Sequence, residues 1–215
     1  MRRIKEEFLD KLEEVVPLHG LSVLEIGCGD GSRSIGIAER CGELVGIEPD
    51  ACLVERALAK GLSNATFLVG SSERLLFGDE TFDVVLFTLS FHHVPAPLMM
   101  IAIDEAVRVA RRAKGRVVFL EPTQGGTFFD AELMFDACDG DERKEKAVAH
   151  EMMMQHARLE SIAEIEDETV FRFDSVDDFV ASMAPKKGVG GIKEFLEAND
   201  YILRANRRIN IFRPL

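Results

Sequence analysis

Val23-Leu24-Glu25-Ile26-Gly27-Cys28-Gly29-Asp30-Gly31 is the stretch that decides the fold. The apolar run from Ser22 to Ile26 has the length of a buried strand. It runs straight into three glycines at alternate positions, which let a backbone turn tightly and approach a ligand without Cβ clashes. A helix is expected over about 32–41, with Ile35, Ile37, Ala38 and Cys41 as its apolar positions. The unit is strand, glycine turn, helix.

The pattern continues outward. Leu44 to Ile47 reads as a second strand ending at Glu48-Pro49-Asp50, followed by a helix over 51–60. Thr66–Val69 and Phe82–Phe87 read as strands three and four, and a helix is expected over about 98–112. Arg116–Leu120 is a fifth strand, ending at Glu121-Pro122. Strands alternating with helices imply a parallel sheet covered on both faces, with right-handed crossovers. Val84-Val85-Leu86-Phe87 fits burial on both faces. Thr169–Phe173 and Arg208–Phe212 add two more strands, the last alternating in polarity as an antiparallel addition would. The expectation is an α/β fold: a doubly wound, mostly parallel seven-stranded sheet with a helical lid.

One domain over 1–215 is expected, in four parts. Residues 1–19 form an N-terminal helix carrying Ile4, Phe8, Leu12 and Val15-Val16, and 20–122 form a ligand-binding core. Residues 123–166 form a helical lid, with a helix from Ala147 to Ile162 holding Met152-Met153-Met154. Residues 167–215 complete the sheet. In such sheets ligands bind outside the carboxyl ends of the strands, so the residues just after each strand are the candidates.

The loop chemistry narrows the ligand. A dinucleotide-binding loop places its third glycine one position later, where this chain has Ser32, and it does not favour a carboxylate such as Glu25 near a pyrophosphate. An acidic loop suits a cationic ligand. Glu48, at the end of the next strand, can accept both hydroxyls of a ribose.

The chain is also acidic, with 26 basic and 38 acidic side chains and a net charge of −12. That disfavours nucleic acid and anionic membrane surfaces as partners. The acidity is concentrated in residues 123–180, with 16 acidic and 5 basic side chains, whereas 181–215 carry 3 and 7. An acidic lid predicts a mouth that repels anions and admits a cation. Cys28, Cys41, Cys52 and Cys138 show neither CxxC spacing nor a histidine at ligand spacing, so no metal site is expected. No apolar run approaches a membrane span. A cytoplasmic protein, monomeric or homodimeric, is expected.

From Val23 to Pro122 the chain resembles the class I S-adenosylmethionine-dependent methyltransferases, in particular the small "type 11" group. The resemblance rests on Val23 to Gly31, Gly46-Ile47-Glu48-Pro49-Asp50, Gly70-Ser71-Ser72-Glu73, Phe82-Asp83-Val84-Val85, Ser90-Phe91-His92-His93-Val94 and Glu105 to Val109, and it ends at Gly115 to Pro122. It implies a Rossmann-like methyltransferase fold, with S-adenosylmethionine as cofactor and S-adenosylhomocysteine as product. It implies that Gly27, Cys28, Gly29 and Gly31 shape the loop under the methionine part while Glu25 orients its amino group. Glu48 would bind the ribose, Pro49 would lie near the adenine, and Ser71 and Ser72 would read the adenine edge. The stretch from Phe87 and Thr88 to His92 would line the sulfonium end. The family commonly has Asp where this chain has Ser71, and a hydroxyl is a weaker acceptor there.

Methyl transfer has a neutral thioether as leaving group, so the main tasks are placement and desolvation. His92 and Glu121 are the catalytic candidates should a base be needed, with His93 behind them. The acceptor is expected to be a small molecule, since the strand-four end lacks the Asn/Asp-Pro-Pro-aromatic signature of amino-directed nucleic-acid enzymes. Two other readings use the same loop: an aminopropyl transferase acting with decarboxylated S-adenosylmethionine, and a non-catalytic cofactor-binding module.

Overall fold

The computed structural model describes all 215 residues. Strands β2 (Ser22–Ile26), β3 (Glu43–Glu48), β4 (Ala65–Val69), β5 (Val84–Thr88) and β6 (Arg116–Pro122) form the parallel part of one sheet. Helices α1 (Phe8–Glu13), α2 (Ser34–Ala38), α3 (Ala51–Leu58) and α4 (Ala96–Val109) cover it. After β6 come α5 (Thr127–Phe135), α6 (Arg143–Gln155), β7 (Leu159–Arg172), α7 (Val176–Met183), α8 (Ile192–Ala198) and β8 (Ile202–Pro214). With β1 (Arg2–Glu6) the spatial order is β1-β7-β8-β6-β5-β2-β3-β4. From β2 the chain builds outward through β3 to β4, then returns to the other side through β5. The strand order therefore reverses between β2 and β5, which opens a crevice at their carboxyl ends.

Period-two alternation on the central strands feeds two cores. Leu24, Ile26, Val85, Phe87 and Phe119 face α4 and α6, which contribute Ile103, Ala106, Ala149 and Met153. Val23, Leu44, Val84, Leu86 and Val118 face Phe8, Leu12 and Ile37 of α1 and α2. A third cluster joins α5, α7 and α8 through Phe135, Phe179, Met183, Ile192 and Leu196 to Phe171, Phe173 and Leu203 of the last two strands.

The doubly wound sheet is as expected, with eight strands rather than seven. The extra one comes from the segment read as an N-terminal helix. Only Phe8–Glu13 is helical, while Arg2–Glu6 pairs antiparallel with β7, Arg2 opposite Arg172 and Glu6 opposite Thr169. The open edge of β7 wins over local periodicity, because an unpaired edge leaves its amides and carbonyls unsatisfied. Residues 123–166 are helical only from Thr127 to Gln155. The helix expected over 147–162 is α6, shifted to Arg143–Gln155, and β7 starts at Leu159, ten residues before its expected start at Thr169. Of these helices, α6 packs back onto the sheet face beside α4 rather than lying wholly over the strand ends.

The acidic segment has a structural use. Along the antiparallel β7–β8 pair, Glu160 bonds to Arg213, Glu168 to Arg204 (2.8 Å) and Asp167 to Arg207 (Nε 2.7 Å), and Glu164 lies 3.4 Å from Arg208. Four acids of the acidic middle thus face four arginines of the basic tail across one strand pair. Opposite charges across a ladder help to fix its register.

Candidate functional site

The site is built on the turn after β2. Gly27 (φ +76°) donates its amide to the Ile47 carbonyl at 2.9 Å, and the Cys28 amide reaches the same oxygen at 3.1 Å, tying the loop to β3. A Cβ on Gly27 would lie 2.2 Å from Ser90 Cβ, and one on Gly31 (φ +76°) would lie 3.0 Å from Ala57 of α3. The first glycine thus lets the loop close onto the β5 turn, and the last lets it close onto α3.

Beyond the loop lies a cleft of about 820 Å³ at the strand ends. Of the residues singled out in the sequence, Gly27, Cys28, Gly29, Glu48, Pro49, Ser71, Ser72 and Thr88 line it. Glu48 Oε2 accepts the Gly29 amide at 3.2 Å and Oε1 accepts the Asp50 amide at 3.1 Å. The carboxylate is therefore fixed, and each oxygen keeps capacity for a second donor. Burial, with the Glu25 and Glu48 carboxylates nearby, pushes the Cys28 thiol up to about 12, so it fills space and is not a nucleophile.

Three of the expected cofactor-binding residues do not reach the cleft wall. Glu25 is fully buried behind the loop, accepting Ser34 Oγ at 2.5 Å and Thr88 Oγ1 at 2.9 Å. Burial raises its pKa although both hydroxyl bonds favour the carboxylate. It braces β2, β5 and α2 together. Phe87 lies in the core, stacked on Phe119 at 4.7 Å, because the strand alternation turns it away from the crevice. Gly31 acts through its packing on α3.

A second cavity of about 230 Å³ lies beneath α5 and α6 and shares Arg33, Leu89 and His93 with the first. Leu89 has φ +55°, strained for a side-chain-bearing residue, and it turns the chain from β5 across the junction. His92 faces this second cavity. Glu121 lines neither cavity: Oε1 accepts the Ser90 (3.1 Å) and Phe91 (2.9 Å) amides, and Oε2 accepts the His92 amide (3.2 Å) and His92 Nδ1. Both oxygens of Glu121 are thus taken up by the β5 turn and His92. Burial opposes charge on His92, but the Glu121 carboxylate and its hydrogen bond outweigh burial, with Glu142 adding to them, and hold its pKa above the ordinary imidazole range.

His92, His93 and Glu142 offer nitrogen and oxygen atoms within 4.8 Å of one another, a spacing a metal could bridge. Lys146 Nζ stands 3.4 Å from Glu142 and 3.6 Å from Glu132, so these carboxylates already have a cationic neighbour.

Leu89 and Ser90 of the stretch expected after the fourth strand also line the cleft, whereas sequence reasoning missed Arg3 and Arg33 there. Arg3 arrives on β1, whose pairing no local pattern reveals.

A family model described as "Methyltransferase domain" matches residues 23–113. The Ubiquinone biosynthesis O-methyltransferase of Hahella chejuensis is 34% identical over 107 residues, covering 48% of this chain and 44% of that protein. The uncharacterized methyltransferase YcgJ of Bacillus subtilis is 29% identical over 103 residues, covering 46% of this chain and 40% of that protein. These sequence matches thus span less than half the length of the relatives. In structure, YcgJ superposes with a TM-score of 0.63 over 97% of this chain and 99% of its own, at 18% identity. A SAM-dependent methyltransferase from Aquifex aeolicus gives 0.60 over 93% and 88%, at 15% identity. Motifs, strand order and these likenesses agree: residues 23–113 match a methyltransferase domain, and the whole chain has the Rossmann-like methyltransferase fold.

Proposed function

We propose that this protein moves the methyl group of S-adenosylmethionine to a small-molecule acceptor and releases S-adenosylhomocysteine. The reading rests above all on Glu48: an oriented carboxylate, pinned to the glycine loop, at the wall of a cleft large enough for a nucleoside-sized ligand. Gly27, Cys28 and Gly29 would lie under the methionine part, Glu48 would take the ribose hydroxyls, and Pro49 with Ser71 and Ser72 would flank the adenine. Thr88, on the cleft wall near the β5 turn, would stand at the sulfonium end.

The acceptor would enter the cavity under α5 and α6. Its lone pair attacks the methyl carbon in line with the carbon–sulfur bond, and the bonding pair returns to sulfur as a neutral thioether. Placement and exclusion of water supply the rate. Where the nucleophile carries a proton, the neutral form of His92 receives it. With Nδ1 committed to Glu121, Nε2 is the nitrogen left facing the lid side, as the orienting role of a carboxylate on a histidine requires. The relatives' printed names, such as Ubiquinone biosynthesis O-methyltransferase, support small-molecule acceptors, as does the net charge of −12.

The test is methyl transfer from methyl-labelled S-adenosylmethionine to a panel of phenols, carboxylic acids, amines and thiols. Labelled product with equimolar S-adenosylhomocysteine supports the reading. Cofactor binding without transfer across the whole panel would instead favour a non-catalytic binding module.

A further inference from the structure

Arg33 is the cation of this site without an anion. It precedes α2 and faces both cavities at their junction. Its Nε is buried without any hydrogen-bond partner, and no carboxylate comes within 4.0 Å of its guanidinium. The other cations around the lid cavity are matched. Arg207 bonds Asp167 and forms an ion pair with Glu6, and Lys146 stands between Glu132 and Glu142. Arg3, on the cleft side, is paired with Glu6 at 2.8 Å. A buried charge left without a partner is costly, so a group of opposite charge is the expected complement. A planar guanidinium takes a carboxylate or phosphate through two parallel bonds, a geometry a single ammonium does not offer.

We propose that Arg33 docks an anionic group, a carboxylate or phosphate, of the methyl acceptor. This rests on the methyltransferase reading for the word acceptor, but not for the binding of an anion. The position favours the acceptor as its source. Arg33 stands on the wall shared with the lid cavity, beside Leu89 and His93, where the acceptor must meet the cofactor's sulfonium. Sulfonium and guanidinium at one junction repel each other, and an acceptor anion between them relieves both. The site therefore selects for an acid, contrary to the anion-repelling mouth that the charge of residues 123–180 suggests.

The acceptor is unidentified, so benzoate and inorganic phosphate serve as probes, with benzamide as the neutral isostere of benzoate. They are titrated by thermal shift into protein saturated with S-adenosylhomocysteine, and also into protein alone. Wild type should gain stability with at least one anion and not with benzamide. Arg33→Met should raise the apparent dissociation constant for that anion at least tenfold, and Arg33→Lys should recover part of it. S-adenosylhomocysteine affinity should change less than threefold in Arg33→Met. Two results overturn the proposal. One is a wild type indifferent to both anions. The other is an Arg33→Met protein that loses S-adenosylhomocysteine affinity tenfold but keeps 5′-methylthioadenosine affinity, which would make the cofactor's own carboxylate the partner. If wild type binds no S-adenosylhomocysteine, the methyltransferase reading fails, and the anion response of protein alone still decides the role of Arg33.

Discussion

Glu121, at the end of β6, holds His92 from two directions: one carboxylate oxygen takes both the backbone amide and Nδ1 of that histidine. The other oxygen takes the amides of Ser90 and Phe91, so a single side chain shapes the whole turn after β5. Glu121→Ala removes a buried acceptor from several donors at once and should cost about 2–4 kcal/mol, since hydrogen bonds to charged groups are worth about 1.5–3 kcal/mol each and are not additive. Urea unfolding measures this. If the carboxylate only positions the turn, Glu121→Gln, which keeps one acceptor, should lose less stability than Glu121→Ala. Equal stability of wild type and Glu121→Ala would remove Glu121 from this role.

Gly27→Ala should be among the most damaging single-methyl additions. The new Cβ would meet Ser90 Cβ at 2.2 Å, and the backbone sits at φ +76°. The left-handed conformation alone costs about 1–2 kcal/mol for a side-chain-bearing residue, and Ser90 must move as well. Ser90 Oγ donates to the Ile26 carbonyl at 2.6 Å, so that movement also loosens the end of β2. The expected result is a lower melting temperature and at least a tenfold loss of S-adenosylhomocysteine affinity. Gly29→Ala, with nothing within 4 Å of its Cβ position but a φ of +55°, should destabilise less.

How far these positions are legible in the sequence depends on where their determinants lie. Gly27 to Gly31 and Glu48 can be read because strand, turn and helix are local patterns, and the sheet's topology puts the residues after each strand at the crevice. Glu25 falls on the expected strand but on the other side from the one expected: its partners Ser34 and Thr88 come from α2 and β5, and only the folded sheet brings them together. Arg2–Glu6 reads as helix because its strand partner is about 165 residues away. The charge of 123–180 is plain in the sequence, but its meaning depends on the register with β8, where arginines answer most of the acids along β7. Arg33 cannot be singled out from sequence at all, since its mark is a partner it lacks.

Stability in acid should depend on Glu105. Bonds from Arg108 (2.7 and 2.8 Å) hold its carboxyl below the ordinary range, with burial opposing and the Leu75 amide (2.8 Å) assisting. The folded pKa lies below the unfolded one, so the unfolded chain binds the proton first as the pH falls. The contribution is therefore complete above the unfolded value of about 4.3 and is lost as the pH drops through the depressed folded value. Urea midpoints measured from pH 6 to pH 3 should fall below about pH 4.3 and should fall less steeply in Glu105→Gln. A Glu105→Gln protein with the wild-type slope would contradict the assignment.

Titration calorimetry with S-adenosylhomocysteine tests the central claim most directly. The wild type should bind one molecule per chain. Glu48→Ala leaves two ribose hydroxyls and the Gly29 and Asp50 amides without their acceptor, so it should lose about 1–3 kcal/mol, about five- to 150-fold in affinity. NAD should give no comparable heat. Absence of S-adenosylhomocysteine binding by the folded wild type, or a Glu48→Ala affinity equal to it, would contradict the account.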